Sequence, residues 1–197
     1  MKIALTGGIA CGKSLLSQFL NELGVETLDA DDVVHEIIPD PAERRRIAAE
    51  VFADPAKRKE LEAKIHPIVK ERIEKFFDES GARDASYPPI RQSVNPLIKQ
   101  SKQSNNLKIA IIPLLFEVHW EKNFDIISSV VSKREKQIER MVTTRLMTRA
   151  EAEARLAAQL PVEEKAKRSH YVIHNDGSPE ELKAKAKAFV DWLRAKL

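Results

Sequence analysis

The chain has 197 residues, 43% of them hydrophobic and 32% charged, with a formal net charge of +3. This length suits one α/β domain with small additions, and no apolar run approaches the roughly 18 residues that a membrane span needs. The 33 basic residues are nearly balanced by 30 acidic ones, which argues against a nucleic-acid-binding protein but suits an anionic ligand. With one cysteine and no secretory segment ahead of the first predicted strand, we expect a cytoplasmic protein without an internal disulfide.

The first predicted elements are a short buried strand at Lys2–Thr6 and a helix at Lys13–Leu23. Between them, Gly7–Ser14 fits the pattern G-x-x-x-x-G-K-[ST], the loop that wraps backbone N–H groups around the phosphates of a nucleotide. The order strand, loop, helix is the context that this pattern requires. This context argues against the alternative, a glycine-rich turn that contains a lysine by chance. The predicted ATP-binding residues of this segment are Gly8, Ile9, Ala10, Cys11, Gly12, Lys13, Ser14 and Leu15.

The residue types of this loop match the chemistry of phosphate binding. Glycines let the backbone approach phosphate oxygens closely, and the N-terminus of the following helix offers N–H donors and a favourable dipole. Lys13 is expected to bridge the β- and γ-phosphates of ATP, and the Ser14 hydroxyl is expected to bind Mg²⁺. Cys11 leaves two interpretations open: a reactive thiol whose pKa the helix N-terminus lowers, or a small spacer residue.

A second predicted strand, Val25–Leu28, ends in the acidic cluster Asp29–Asp32. Open α/β sheets bind ligands beyond the carboxyl ends of their strands, which makes these carboxylates candidates for the site. The alternative is that Asp31 or Asp32 caps a helix N-terminus, and the two roles are compatible.

Helices are predicted over residues 42–52 and 55–78. The second helix carries apolar residues at intervals of three and four, which predicts one apolar stripe made of Leu61, Ile65, Ile68, Val69, Ile73, Phe76 and Phe77. Pro67 lacks an N–H and disfavours helix at the residue before it, so we expect a kink or break there, with His66 out of the regular register. His66 is then either a packed or capping residue or a ligand contact.

The second half of the chain begins with an irregular stretch. Residues 79–107 hold several prolines and many polar residues without periodicity, which predicts a surface excursion with one short helix at 90–101. Beyond it, apolar strands alternate with helices, and this order predicts a parallel sheet with helices on both sides. The predicted strands are Lys108–Ile112, Phe124–Val131 and Tyr171–Ile173, and the predicted helices are Arg134–Arg145, Thr148–Gln159 and one capped by Ser178.

Several short segments occur in an order and at intervals that are more specific than the phosphate loop alone. They are Leu5–Ile9, Gly12–Ser14, Asp29–Asp31, His66-Pro67, Pro113–Glu117, Arg155 with Gln159, and Val172-Ile173 with Asn175 and Gly177. This set resembles the dephospho-CoA kinase family. The resemblance covers about residues 1–39, 61–78 and 108–180.

The resemblance implies a P-loop NTPase fold of the nucleoside-monophosphate-kinase type, a three-layer α/β/α domain with a five-stranded parallel sheet. One domain would span residues 1–197, with a helical acceptor-binding part at about 32–107 and a lid at about 140–165. The implied reaction is ATP-dependent phosphorylation of the ribose 3′-hydroxyl of dephospho-CoA, which gives coenzyme A and ADP with Mg²⁺ as the cofactor. The expected partners are these small molecules, without nucleic acid or membrane, in a monomer or a small homo-oligomer.

The resemblance also implies roles for individual residues. Asp31 matches the proposed catalytic base of the family and would act with Lys13 and Arg140. Arg140, Arg145 and Asn175 join the loop as ATP-binding candidates. The acceptor-binding candidates are Asp31, His66, Pro113, Leu114, Glu117 and Arg155. For the arginines of the lid, the alternative is a surface position paired with an acid four residues away.

The sequence departs from the family pattern at several points. An arginine usually stands where Thr144 is found here, and Arg145 follows it, so the lid contact is either displaced by one position or lost. Leu15 replaces a common threonine, and His170 and His174 replace common aspartates, for which we expect structural roles. The stretch after Asp31 is shorter than usual and residues 79–107 are longer, which predicts a remodelled acceptor-binding part.

Two further functions are compatible with the phosphate loop. The first is another small-molecule kinase of the same fold, acting on a nucleoside or a nucleotide, and the identity of the acceptor separates it from a dephospho-CoA kinase. The second is a non-enzymatic nucleotide-dependent switch, against which Asp31 and the arginine-rich helices argue.

Overall fold

The computed structural model describes residues 1–78 and 107–197. Five strands, eight helices and a short 3₁₀ turn at Glu121–Asn123 make up this part of the chain. The strands are β1 (Ile3–Gly7), β2 (Glu26–Asp29), β3 (Lys108–Ile111), β4 (Ile126–Val131) and β5 (Tyr171–His174). The helices are α1 (Lys13–Glu22), α2 (Ala30–Ile37), α3 (Pro41–Ala53), α4 (Pro55–Asp78), α5 (Arg134–Arg145), α6 (Arg149–Ala157), α7 (Val162–Lys167) and α8 (Pro179–Arg194).

The five strands form one sheet in the order β2-β3-β1-β4-β5. The pairs β1–β3, β1–β4 and β4–β5 are parallel, with Thr6 opposite Ser129 and Val130 opposite Ile173. The predicted five-stranded parallel sheet is confirmed. The chain runs outward from β1 to β2 and later crosses to β4 on the other side of β1, so the strand order reverses at β1. In open α/β sheets, ligands bind beyond the carboxyl ends of the strands at such a reversal.

The central strands of the sheet are buried along their whole length and supply much of the apolar core. Every residue of β1 and of β4 is buried. The helices α1 and α8 pack against each other and contribute Leu16, Leu20 and Phe189 to the same cluster of buried side chains. Ser178 caps α8 by accepting a hydrogen bond from the N–H of Glu181, as the sequence predicts.

The described residues divide into two compact units, 1–27 with 107–197 and 28–78. In the second unit, α2 and α3 each pack against α4. The cap of α2 is Asp29, whose side chain accepts from the N–H of Asp31 at 3.0 Å. The prediction that Asp31 or Asp32 caps this helix is therefore wrong by two or three positions. Both residues lie in the first turn instead, where carboxylates interact favourably with the helix dipole.

The helix α4 continues through Pro67, so the predicted break at His66-Pro67 is wrong, and the alternative of a kink there stays a prediction. Proline inside a helix costs about 3 kcal/mol. Here the helix is retained because it buries Val69 and Ile73, and because Arg72 pairs with Glu36 of α2 at 3.8 Å. The predicted apolar stripe includes one residue too many, since Ile68 is 47% exposed.

The helix α7 was not predicted from the sequence, and α2 only as the helix that Asp31 or Asp32 would cap, without bounds; both are shorter than nine residues. The predicted short helix at 90–101 lies outside the described residues. In the described part of the chain, no helix is long and apolar enough to cross a membrane.

The burial pattern of α4 predicts different costs for the same substitution at two of its positions. Ile73→Ala should lower the free energy of unfolding by about 2–5 kcal/mol, since Ile73 is 5% exposed and its removal leaves a cavity. Ile68→Ala, the control in the same helix, should change it by no more than about 0.5 kcal/mol. Urea denaturation measures both, and equal losses would contradict the burial of this helix face.

Candidate active site

The phosphate loop connects β1 to α1 and requires glycine at Gly12. This residue precedes the first helical residue and has a φ of 94°, in the left-handed region. A Cβ at this position would lie 2.2 Å from the side-chain nitrogen of Asn175. The loop therefore closes against the end of β5 at a distance that only glycine allows.

The N-terminus of α1 is suited to an anion. Its first turn contains no acidic residue, and no side chain caps it. The first N–H groups of a helix have no partner within the helix, and the helix dipole places partial positive charge at this end. Phosphate is the ligand that such an end accommodates when a glycine-rich loop precedes it.

Lys13 reaches back across the loop. Its Nζ donates to the carbonyl oxygens of Gly7 and Gly8, both at 3.0 Å. The ammonium group is thereby placed over the start of the loop, where it adds a full positive charge to the partial charges of the backbone N–H groups.

Three consecutive carbonyl groups of the loop accept hydrogen bonds from side chains of other elements. The pairs are Gln137 Nε2 with Ile9 O at 2.9 Å, Arg140 Nη1 with Ala10 O at 3.1 Å, and Asn175 Nδ2 with Cys11 O at 2.8 Å. In a trans peptide, the C=O and the N–H of the next residue point in opposite directions. Each bond therefore directs the N–H of the next residue away from the bonded side chain. Of these N–H groups, that of Cys11 donates to the carbonyl oxygen of Gly8 at 3.3 Å, and those of Ala10 and Gly12 are the ones that a ligand could bind.

Arg140 joins the loop to the carboxyl ends of two strands. Its Nη1 also donates to Ser132 Oγ at 2.9 Å, and its Nη2 donates to the carbonyl oxygen of Asn175 at 2.8 Å. Ser132 directly follows β4 and Asn175 directly follows β5. The structure thus brings together the predicted ATP-binding residues Arg140 and Asn175 with the loop.

The other two predicted arginines lie on the surface of the first unit. Arg145 is the last residue of α5 and Arg155 is near the end of α6, and both are exposed. Thr144, where the family usually has an arginine, donates its hydroxyl hydrogen to the carbonyl oxygen of Arg140 at 2.5 Å. This threonine is thus satisfied within its own helix.

Cys11 is fully buried in the loop. Burial raises the pKa of its thiol, and this effect outweighs the lowering by nearby Lys13. Gln137 Nε2 lies 2.8 Å from the sulfur atom. The structure therefore favours the spacer interpretation, and the alternative of a reactive thiol with a lowered pKa is wrong.

The segment that follows β3 is tied to a buried lysine. Lys165 of α7 is fully buried, and its Nζ lies 2.8 Å from the carbonyl oxygen of Pro113 and 2.7 Å from Glu117 Oε1. The same Glu117 oxygen accepts from the N–H of Leu160 at 3.1 Å, and Thr6 donates to Pro113 O at 3.2 Å. The buried ion pair thus joins the segment after β3 to α7, and the hydrogen bonds of Leu160 and Thr6 connect that segment to the chain after α6 and to β1.

Glu117 retains one oxygen without a protein partner. Its Oε2 is buried and makes no hydrogen bond. A buried carboxylate oxygen normally has a partner, so this atom has unused capacity to accept a hydrogen bond. Leu114, the remaining acceptor-binding candidate of this segment, is half-buried.

Asp31 and His66 belong to the second unit and are described there by themselves. Asp31 is exposed in the first turn of α2, and His66 is half-buried within α4. Burial lowers the pKa of His66, so its imidazole is neutral at pH 7.

Several residues around the loop were not predicted as site residues, namely Ser132, Gln137, Gln159 and Lys165. Gln137 lies three residues before Arg140, and this spacing puts both on one face of a helix, so the signal was present in the sequence. Gln159 was noted only as part of the family pattern. Lys165 gave no signal, because lysine is almost never fully buried and α7 itself was not predicted.

Comparison with known proteins decides the family. The sequence profile of the dephospho-CoA kinase family matches residues 1–43 and 82–181. A dephospho-CoA kinase from Synechococcus sp. (strain JA-3-3Ab) is 38% identical in an alignment that covers 94% of this chain and 89% of the relative. The chain belongs to the dephospho-CoA kinase family.

Solved structures support the same fold. The crystal structure of TT1252 from Thermus thermophilus aligns with a TM-score of 0.73 at 29% identity and covers 98% of this chain and 97% of that one. A dephospho-CoA kinase from Campylobacter jejuni aligns over the full length of both chains with a TM-score of 0.64, and its 22% identity bears on the fold alone. The P-loop kinase fold predicted from the sequence is confirmed.

The buried ion pair predicts a strong asymmetry between single and double substitutions. Lys165→Met removes the cation and leaves the Glu117 carboxylate without a countercharge, held only by the N–H of Leu160, which should lower the free energy of unfolding by about 3–5 kcal/mol. The double variant Lys165→Met/Glu117→Gln leaves no unpaired charge and keeps an oxygen for the N–H of Leu160, so it should recover more than half of this loss. Urea denaturation measures both variants, and a single variant as stable as the unmodified chain would contradict the pairing.

Proposed function

We propose that the protein transfers the γ-phosphoryl group of ATP to the ribose 3′-hydroxyl of dephospho-CoA, the last step of coenzyme A biosynthesis. The observation that carries this proposal is the phosphate loop, whose carbonyl groups are held outward by three side chains, in a member of the dephospho-CoA kinase family. Phosphoryl transfer needs little covalent chemistry from the protein, so positioning and electrostatic stabilisation supply most of the rate enhancement.

The donor side consists of the loop and the N-terminus of α1. Backbone N–H groups that point away from their tied carbonyls would bind the phosphate oxygens of ATP. Lys13 would exchange its two carbonyl contacts for the β- and γ-phosphates, since its Nζ already lies at the start of the loop. Arg140 would contribute positive charge from the same cluster.

Mg²⁺ fits this site through Ser14. The serine is exposed in the first turn of α1, and the hydroxyl at this position of a phosphate loop is an oxygen ligand suited to Mg²⁺. Within residues 1–78 and 107–197, no group of three His, Cys, Asp or Glu side chains could hold a metal. This composition fits an ion bound mostly by phosphate oxygens and water, whose charge would offset the negative charge of the transferring group.

On the acceptor side, we assign Asp31 as the general base. An exposed carboxylate can accept the proton of the 3′-hydroxyl, and the family pattern matches this residue. The neutral imidazole of His66 would receive part of the coenzyme A moiety. Glu117 would use its unpartnered Oε2 to accept a hydrogen bond from the acceptor, beside Pro113 and Leu114.

The segment at about 140–165, which includes α6, would act as the lid. Arg145 and Arg155 are exposed there, where they are accessible to phosphate groups. Closure over the reacting groups would exclude water and so limit the hydrolysis of ATP.

The reaction itself is tested by the choice of acceptor. Purified protein with ATP and Mg²⁺ should release ADP rapidly with dephospho-CoA and much more slowly with nucleoside monophosphates or with no acceptor. Phosphate on the ribose 3′-oxygen, located by NMR of the product, completes the assignment. Equal or greater turnover on a nucleoside monophosphate would replace this proposal by a nucleotide kinase.

The assignment of Asp31 is tested by comparison with its neighbour. Asp31→Asn should lower kcat by on the order of 10²-fold, the usual contribution of a general base. Asp32→Asn is the matched control, because Asp32 is also exposed in the first turn of α2 and loses the same charge. Steady-state kinetics with dephospho-CoA distinguish the two, and a near-normal kcat for Asp31→Asn would remove the assignment.

A further inference from the structure

Two glutamines hold one residue of the phosphate loop from opposite ends. The side-chain oxygen of Gln159 accepts from the N–H of Ile9 at 3.0 Å. The side-chain nitrogen of Gln137 donates to the carbonyl oxygen of the same residue at 2.9 Å. Gln137 comes from α5, whereas Gln159 follows α6, so two separate elements fix the two peptide groups that flank Ile9.

The loop needs this support at this point. Ala10, the next residue, has a φ of 57° in the left-handed region, which is unfavourable for a residue with a Cβ. A strained conformation persists only where the surroundings hold it. The bond from Gln137 to Ile9 O also sets the direction of the Ala10 N–H, because the two groups belong to one peptide.

Gln159 is itself held in place by the buried ion pair. The next residue, Leu160, donates its N–H to Glu117, and Glu117 pairs with the fully buried Lys165. The backbone that carries Gln159 is therefore fixed by groups of the segment after β3 and of α7. A continuous series of contacts runs from Lys165 through Glu117 and Leu160 to the phosphate loop.

We propose that Gln159 is a positioning residue for nucleotide binding: it holds the Ile9 peptide in the conformation that binds phosphate, and it does so jointly with Gln137. The two glutamines thereby attach the end of α6 and the middle of α5 to the donor loop. The identity of the nucleotide as ATP rests on the proposed function, whereas the positioning role rests on the contacts of Ile9.

The test is the affinity for Mg·ATP, measured by titration calorimetry without an acceptor. Gln159→Met keeps the length of the side chain but has no oxygen for the Ile9 N–H, and it should weaken binding about fivefold, the usual effect of one lost hydrogen bond. Gln18→Met is the matched control, because Gln18 is exposed on α1, and it should bind as the unmodified chain does. The thermal unfolding midpoint of both variants should stay close to that of the unmodified chain.

A binding constant for Gln159→Met within the error of the Gln18→Met control would overturn the proposal. If Gln159→Met does not fold, Gln159→Ser carries the same expectation, since its side chain is too short to reach Ile9. The binding measurement contains no acceptor, so it is independent of the proposed reaction. If the unmodified chain binds Mg·ATP more tightly than Gln159→Met but does not phosphorylate dephospho-CoA, the proposed function is wrong and the positioning role of Gln159 stands.

The joint action of the two glutamines is tested by a double-mutant cycle. Gln137→Met removes the donor to Ile9 O and keeps the volume of this buried side chain. If both glutamines act through Ile9, the double variant should bind Mg·ATP more tightly than the product of the two single losses predicts. If the double variant weakens Mg·ATP binding by the product of the two single factors, the two glutamines act independently, and this result would contradict the joint role.

Discussion

The structure of the site depends on the hydrogen bonds that hold the carbonyl groups of the phosphate loop. A loop that binds an anion must direct its N–H groups toward the ligand and its carbonyl groups away from it. Without hydrogen bonds to these carbonyl groups, the chain would not keep this conformation. Here side chains from α5 and from the end of β5 bind the carbonyls of Ile9, Ala10 and Cys11 in turn. The parallel sheet is what makes this possible, because the carboxyl ends of β1, β4 and β5 meet at one edge.

The buried pair of Lys165 and Glu117 is a second constraint, and it acts on the chain between α6 and α7. A fully buried lysine is costly unless it is paired, and Lys165 is paired with Glu117 and with a backbone carbonyl. This pair fixes the chain between α6 and α7, so the helices assigned to the lid are attached to the core at a defined point. Stability and the conformation of the loop are linked here, since the ion pair that supports the fold also binds the N–H of Leu160, and the neighbouring Gln159 bonds to the loop.

Much of the fold could be predicted because strong local patterns agree with it. The phosphate loop, the buried strands and the Ser178 cap each follow from short-range chemistry. The errors have physical causes: burial of Ile73 and Val69 kept α4 helical through Pro67, and Asp29 capped α2 because its side chain reaches the N–H two residues on. The role of Lys165 could not be predicted, because it depends on contacts with Pro113 and Glu117, which are distant in the sequence, and because lysine is almost never fully buried. The position of Gln137 on one helix face with Arg140 was readable from the sequence, but its contact with the loop, 128 positions away, was not.

In the proposed donor site, loop N–H groups bind the phosphates while the loop carbonyls stay bound to Gln137, Arg140 and Asn175. Amide NMR spectra of the full chain test this most directly, with and without Mg·ADP. We expect large downfield shifts for the N–H protons of Ala10 and Gly12 on addition of nucleotide, and small changes in the side-chain amide signals of Gln137 and Asn175. Unchanged loop amides, or the loss of both side-chain hydrogen bonds when nucleotide binds, would contradict it.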